Sequence, residues 1–285
     1  MTLIASVKTN QGIVMCADSK EITMGGQLLW TDYEPLLRAK GLKDESEEIS
    51  ISPKEIADIF KKTIMESDQG RLKSTDTGLK LFMIDNFSAL LTSGKANPGG
   101  MEFIDIVTDI RSKIDSESLK SFESSLAITF DYLTQVFEKD SEEKFKSELI
   151  FSGYDGINKK YRTFIFWFNL RRFYDDNGQF KKNDQGIIIE ERYFEKKEIG
   201  DETPLTLKGW VNCLSSLGEF NQNPPTMTLL QGFKLIKRIM ELAVTIEEIS
   251  HEIIGIGGNI IYAVITENGF QWVNSEADIM NLIWR

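Results

Sequence analysis

Thr2-Leu3-Ile4-Ala5-Ser6-Val7-Lys8 and Gly12-Ile13-Val14-Met15-Cys16-Ala17-Asp18 are two short β-prone stretches on either side of one turn signal. Leu3 to Val7 alternates around small residues, and Ile13 to Ala17 is an unbroken apolar run. Alternation marks a half-buried strand; an unbroken apolar run bounded by turn residues marks a buried one. Asn10-Gln11-Gly12 supplies the turn, so a β-hairpin is expected, and the chain leaves it at Asp18-Ser19-Lys20.

Further along, the pattern repeats and then changes period. Leu79 to Phe82 and Ser88 to Thr92 read as a second strand pair with Asp85-Asn86 at its turn. Phe103, Ile104, Val107, Ile110 and Ile114 recur at helical spacing, as do Leu119, Phe122, Leu126, Phe130, Leu133 and Phe137. Glu148 to Phe151 reads as a strand ended by a turn at Ser152-Gly153-Tyr154-Asp155-Gly156, and Tyr161 to Leu170 as an aromatic strand. A turn at Asp175-Asp176-Asn177-Gly178 precedes another strand over Ile187 to Phe194. Residues 199–225 give no clear period, being interrupted by Pro204, Gly209, Gly218 and Pro224-Pro225. Leu229 to Val244 is the clearest helix, and Ile260 to Thr266 with Phe270 to Val273 a last hairpin. A helix is also expected from Ser52-Pro53-Lys54-Glu55, a capping residue, Pro at the first position and Glu shortly after. Hairpins and helices in this order imply an α+β fold, helices packed on antiparallel sheets.

Composition narrows the function. The 285 residues carry a net charge of -11, which disfavours a general nucleic-acid role. No apolar run is long enough for a bilayer span, and no signal peptide is expected. Two cysteines, Cys16 and Cys213, and one histidine, His251, give no disulfide framework and no multi-histidine metal site. No metal and no cofactor are expected, and a reducing, cytoplasmic setting is the simpler reading.

Thr2, Asp18 and Lys80 each adjoin an apolar strand. Singly, each is commonly a turn or surface residue. Together they permit a specific chemistry. An N-terminal threonine carries a hydroxyl nucleophile beside its own α-amine, which titrates near ~8 and can act as base. A neighbouring ammonium lowers that amine's pKa, and a carboxylate can orient the ammonium. Thr2 gains this chemistry only on removal of Met1, a step expected before a small residue.

On these residues the chain resembles proteasome-type N-terminal nucleophile hydrolases, in particular catalytic proteasome β subunits. Thr2 and Asp18 are 16 positions apart and Lys80 and Gly94 are 14 apart, both as in that family. Lys80-Leu81-Phe82-Met83-Ile84 with Leu91-Thr92-Ser93-Gly94 is similar to its lysine strand and oxyanion glycine. Ile150-Phe151-Ser152-Gly153-Tyr154-Asp155 is similar to a later strand. Gly257-Gly258, then Val264-Ile265-Thr266-Glu267-Asn268-Gly269, is similar to its closing hairpin. The resemblance implies a four-layer α-β-β-α sandwich with two antiparallel sheets, one domain over 1–285 with insertions at about 21–76 and 175–225. Helices near 102–114 and 119–138 would cover one side, and the helix near 228–244 the other. It assigns Thr2 as nucleophile, Lys80 as the amine-tuning cation, Asp18 as its orienting carboxylate and Gly94 as oxyanion donor. Glu21, Gly78, Thr92 and Ala96 would line the substrate pocket. A peptide or amide substrate and a homo-oligomer are implied, with no nucleic-acid or membrane partner. No motif identifies a partner ATPase.

Departures from that pattern support a second reading, a catalytically inactive structural or assembly subunit. The family's supporting Asp and Ser fall at Ile253 and Ile256, neither of which can act as a polar partner. Its other supporting serine has Gly200-Asp201 as nearest counterpart.

Overall fold

A computed structural model describes residues 2–19, 21–24, 72–75, 78–117, 121–142, 144–203, 205–209, 227–250 and 257–284, with only the backbone for 21–24, 72–75 and 247–250. The helix expected from Ser52, and the residues Cys213, His251, Ile253 and Ile256, lie outside these.

The chain divides into two compact units, Met1–Glu21 with Asp76–Arg285, and Ile22–Thr75. Strands β3 (Glu21–Met24) and β4 (Leu72–Thr75) pair as a two-stranded sheet.

In the larger unit, one five-stranded sheet has the order β10-β1-β2-β11-β12: Leu205–Gly209, Leu3–Lys8, Ile13–Asp18, Ile260–Thr266 and Gly269–Val273. The other has the order β5-β6-β7-β8-β9: Leu81–Asp85, Ser88–Ser93, Lys144–Asp155, Lys160–Arg172 and Glu190–Glu198. Every pairing in both sheets is antiparallel. Helices α1 (Phe103–Ser116) and α2 (Phe122–Glu138) pack on the second sheet. Helices α3 (Leu229–Ser250) and α4 (Glu276–Ile283) pack on the first. The result is the four-layer α-β-β-α arrangement, compatible with the broad class of N-terminal nucleophile hydrolase folds.

Period-2 alternation explains how each sheet is buried on both faces. Leu3, Ala5, Val7, Val14 and Cys16 meet Phe233, Ile236 and Met240 of α3. The intervening Ile4, Ile13, Met15 and Ala17 face Leu81, Ala89, Leu91 and Ile150 of the other sheet. Phe151, Phe166 and Phe168 point the opposite way and pack with Leu133 and Phe137 of α1 and α2's layer, the rings of Phe137 and Phe168 stacking at 4.4 Å. Each fully buried side chain of this size stabilises the fold by about 1.5–3 kcal/mol before entropy is counted.

Besides β9, expected over Ile187 to Phe194 and found over Glu190–Glu198, three elements differ from the sequence reading. β7 runs unbroken through Ser152-Gly153-Tyr154-Asp155, where a turn was expected; the turn falls at residues 156–159. Gly153 is needed for packing there: a Cβ would sit 2.6 Å from the Phe122 ring and 2.7 Å from the Phe87 carbonyl. β10 lies in a segment where Pro and Gly obscure any period, yet it pairs with β1 along its length, Leu3 opposite Gly209 and Val7 opposite Leu205. α4 went unread, although Ser275 and Asp278 form a capping box at its start.

Candidate active site

The end of β2 gathers the chemical residues. Asp18, the last residue of β2, is fully buried, and its pairing opposite Ile260 holds its backbone. Lys80 immediately precedes β5, and its carbonyl accepts the Thr92 N–H at 2.9 Å, extending the β5–β6 ladder by one step. The Lys80 ammonium donates to both carboxylate oxygens of Asp18 at 3.2 Å. Asp18 Oδ1 also accepts the backbone N–H of Leu3, the residue after Thr2, at 2.9 Å. One carboxylate thus fixes the ammonium and the backbone beside the threonine. Burial pushes the Asp18 carboxyl above its ordinary pKa; the Lys80 charge, then the N–H groups of Leu3 and Gly257, pull it part of the way back.

The neighbouring backbone is tied to the same point. The Ser19 carbonyl accepts the Gly78 N–H at 2.8 Å, and the Ser19 hydroxyl accepts the Asn259 N–H at 2.8 Å. These bonds link the exit of β2 to the entries of β5 and β11.

Thr2 itself is half-buried at the start of β1. Gly209 packs directly against its carbonyl: a Cβ there would collide with the Thr2 oxygen and lie 2.9 Å from the Ser93 hydroxyl. Gly209 also has φ +93, which L side chains rarely adopt. This glycine brings the β6 terminus, Ser93, up to Thr2. Gly94 follows at φ +107, seated against the Lys146 carbonyl, and the next N–H, of Lys95, donates to the Ser147 hydroxyl at 3.0 Å.

Beside Ser93, Glu148 stands opposite it on β7 and opposite Trp167 on β8. Glu148 accepts from the Trp167 indole N–H at 3.1 Å and from the Lys208 ammonium at 3.2 Å, with Lys208 5.4 Å from the Trp167 ring centre. Lys208 precedes Gly209, so this ion pair belongs to the same end of the sandwich as Thr2. Gly209, Ser93, Glu148 and Lys208 escaped the sequence reading. Only the Thr-Ser-Gly run before Gly94 carried any signal.

The expected pocket residues are dispersed around this centre. Gly78 is half-buried two positions before Lys80, Thr92 is buried opposite Lys80, and Ala96 is exposed beyond Gly94. Glu21 lies in β3, with its side chain outside the described residues. Gly200-Asp201, the nearest counterpart in the sequence to the family's other supporting serine, lies away from Thr2. Asp201 bridges Lys8 at 2.7 Å, at the opposite end of β1. The β-ladder that places Gly209 at Leu3 necessarily sends residues 199–201 to the far end.

Among the described residues no group of three or more His, Cys, Asp or Glu side chains could hold a metal ion, and no helix is long and apolar enough to cross a membrane. No protein-family model matches the chain, and no curated protein matches it in sequence.

Proposed function

We propose that the protein is a threonine-dependent hydrolase of peptide or other amide bonds, acting through Thr2 once Met1 is removed. The observation that carries this reading is the double use of Asp18, which binds the Lys80 ammonium and the N–H next to Thr2. A surface aspartate and lysine would have no reason to be buried together around this one peptide unit. Desolvating such a pair costs several kcal/mol, about what its attraction returns, so stability alone is a weak reason to keep it.

In the proposed reaction the Thr2 hydroxyl attacks the substrate carbonyl carbon. Its proton passes to the free Thr2 amine, directly or through water. The C–N bond breaks as the leaving amine takes that proton, leaving an ester on Thr2. Water then attacks the ester, the threonine oxygen recovers a proton, and the acid product leaves. Lys80 keeps the amine neutral and base-competent, and Asp18 keeps Lys80 in place. The Gly94 N–H stabilises the developing oxyanion. Glu21, Gly78, Thr92 and Ala96 are proposed to shape the pocket. The acting form is proposed to be a cytoplasmic homo-oligomer.

A noncatalytic scaffold is the second reading, favoured by isoleucine at positions 253 and 256 where polar supporting residues would be expected. An electrophile specific for N-terminal threonine separates the two: an adduct on Thr2, lost in Lys80→Ala, supports the hydrolase, and an unlabelled protein with a free Thr2 amine supports the scaffold.

A further inference from the structure

A cavity of about 620 Å³ opens where α1, the first turn of α2, the β5–β6 turn and the β7–β8 turn meet. Its size falls within the ~300–1,000 Å³ of small-molecule sites. It lies at the Ser88 end of β6, whereas Thr2 approaches the Ser93 end, so it is separate from the proposed catalytic centre and independent of that reading. Ile84, Ile114, Phe122 and Tyr154 give it apolar walls. Phe87 and Ile157 also line it, 43 % and 76 % exposed, large apolar side chains left open to solvent.

Two polar groups in the lining lack partners. The Arg111 Nε donates to the Met83 carbonyl at 2.8 Å, which fixes the plane of the guanidinium. Its two Nη groups make no hydrogen bond or ion pair among the described residues. Ser88 is 1 % exposed, and its hydroxyl has no hydrogen-bond partner among the described residues. Arg111 lines the cavity with its guanidinium fork uncommitted, which marks a place for a hydrogen-bonding ligand; the Ser88 hydroxyl, out of reach of water, is an unpaired group behind the same lining.

The charge balance decides which ligand. Asp85, Asp115 and Glu267 line the same cavity as Arg111. Both oxygens of Asp85 are committed, to the Phe87 N–H at 2.7 Å and the Ser125 hydroxyl at 2.5 Å. Asp115 is also engaged in an interaction of its own. Among the described lining residues, the uncommitted charged donors are therefore those of Arg111. A phosphate group would add about 1.5–2 charges to an already acidic lining. A single carboxylate matches the Arg fork in a bidentate pair and adds only one. We propose that this cavity binds a monocarboxylic acid with an aromatic or branched apolar body, its carboxylate on the Arg111 Nη groups and its body against Phe122 and Tyr154.

Titration of the full chain with 3-phenylpropionate, followed by amide NMR, tests this. The proposal expects saturable shifts centred on Phe87, Ser88 and Ile157. Binding of 3-phenylpropionamide and of phenethylamine should be at least tenfold weaker. Arg111→Gln, with an unchanged circular dichroism spectrum, should lose at least tenfold in affinity for the acid. Absence of saturable shifts at these residues, or an acid bound no more tightly than its amide or the amine, overturns the proposal. The acid-against-amide comparison uses the unmutated protein, so it decides the matter even if Arg111→Gln fails to fold.

Discussion

The Lys80 ammonium lies 3.2 Å from each carboxylate oxygen of Asp18, a residue 62 positions earlier in the chain. The Lys80 side chain is 10 % exposed and that of Asp18 is fully buried, so water screens the pair little. Removing one partner strands the other charge in the interior. Asp18→Ala should therefore destabilise the protein by about 3–5 kcal/mol. The double variant Asp18→Leu with Lys80→Met should recover most of that loss. Urea unfolding of the three proteins checks this; a double variant no more stable than Asp18→Ala would contradict it.

The pH dependence has two opposite signs. Burial raises the Asp18 pKa above its unfolded value, so the native state holds this proton more tightly. Its contribution to stability is fully present below the unfolded pKa and is lost as pH rises through the folded one. Function runs the other way, because only the ionised carboxylate holds Lys80 as an ion pair. The rate of Thr2 acylation should fall with pH in two limbs, the upper one as the Thr2 amine protonates and the lower one through the raised Asp18 value. The midpoint of that lower limb should lie above ~3.9, the ordinary aspartate value. A limb centred at or below it would contradict the role given to Asp18.

Much of this centre was legible because it sits on regular strands. The hairpin around Asn10-Gln11-Gly12 was expected to end at Asp18, which is the last residue of β2, and the strand expected over Leu79 to Phe82 overlaps β5, Leu81–Asp85. What was not legible depends on pairing between distant segments. Nothing in Leu205-Thr-Leu-Lys-Gly209 announces that it lies beside β1, since five residues with one lysine suit many structures. Gly209 matters through the Thr2 carbonyl it touches, a contact visible only once the ladder is formed. Gly153 shows the same ambiguity from the other side. A glycine after an apolar run signals a turn, but here it clears space for Phe122 in mid-strand.

Gly209 gives a direct test of the β10–β1 contact. Gly209→Ala places a methyl group on the Thr2 carbonyl and forces alanine into φ +93. Strain of this kind costs on the order of 1–3 kcal/mol. The variant should remain folded by circular dichroism, with a lowered urea midpoint, and its Thr2 acylation should slow by at least tenfold. Unchanged stability and acylation would contradict the packing described.

Arg162 governs a second pH effect, remote from Thr2. It donates to both oxygens of Glu198, at 2.7 and 2.8 Å, to Asp155 at 3.3 Å and to Glu123, and its guanidinium lies about 5 Å from the rings of Phe122 and Phe164. The Arg162 hydrogen bonds hold Glu198 below the ordinary glutamate pKa. For Asp155, burial pushes upward, but bonds from Asn158, Arg162 and Ile157 outweigh it and lower the pKa. Carboxyls with lowered folded pKa contribute stability above their unfolded values and lose it as pH falls through the folded ones. Stability should therefore drop as pH falls below ~4, and Arg162→Met should flatten that part of the profile. Urea midpoints measured from pH 6 to pH 3 check it; parallel profiles for the two proteins would contradict it.

The central claim is that Thr2 becomes the first residue and acts as the nucleophile. Intact-protein mass spectrometry, before and after an epoxyketone that labels N-terminal threonine, tests it most directly. The account predicts a mature chain lacking Met1 that gains one adduct on Thr2. That adduct should be absent from Thr2→Ala and Lys80→Ala. A protein from its native host that keeps Met1, or one that exposes Thr2 yet takes up no label, would contradict the account and leave the buried Asp18–Lys80 pair a structural feature of the sandwich.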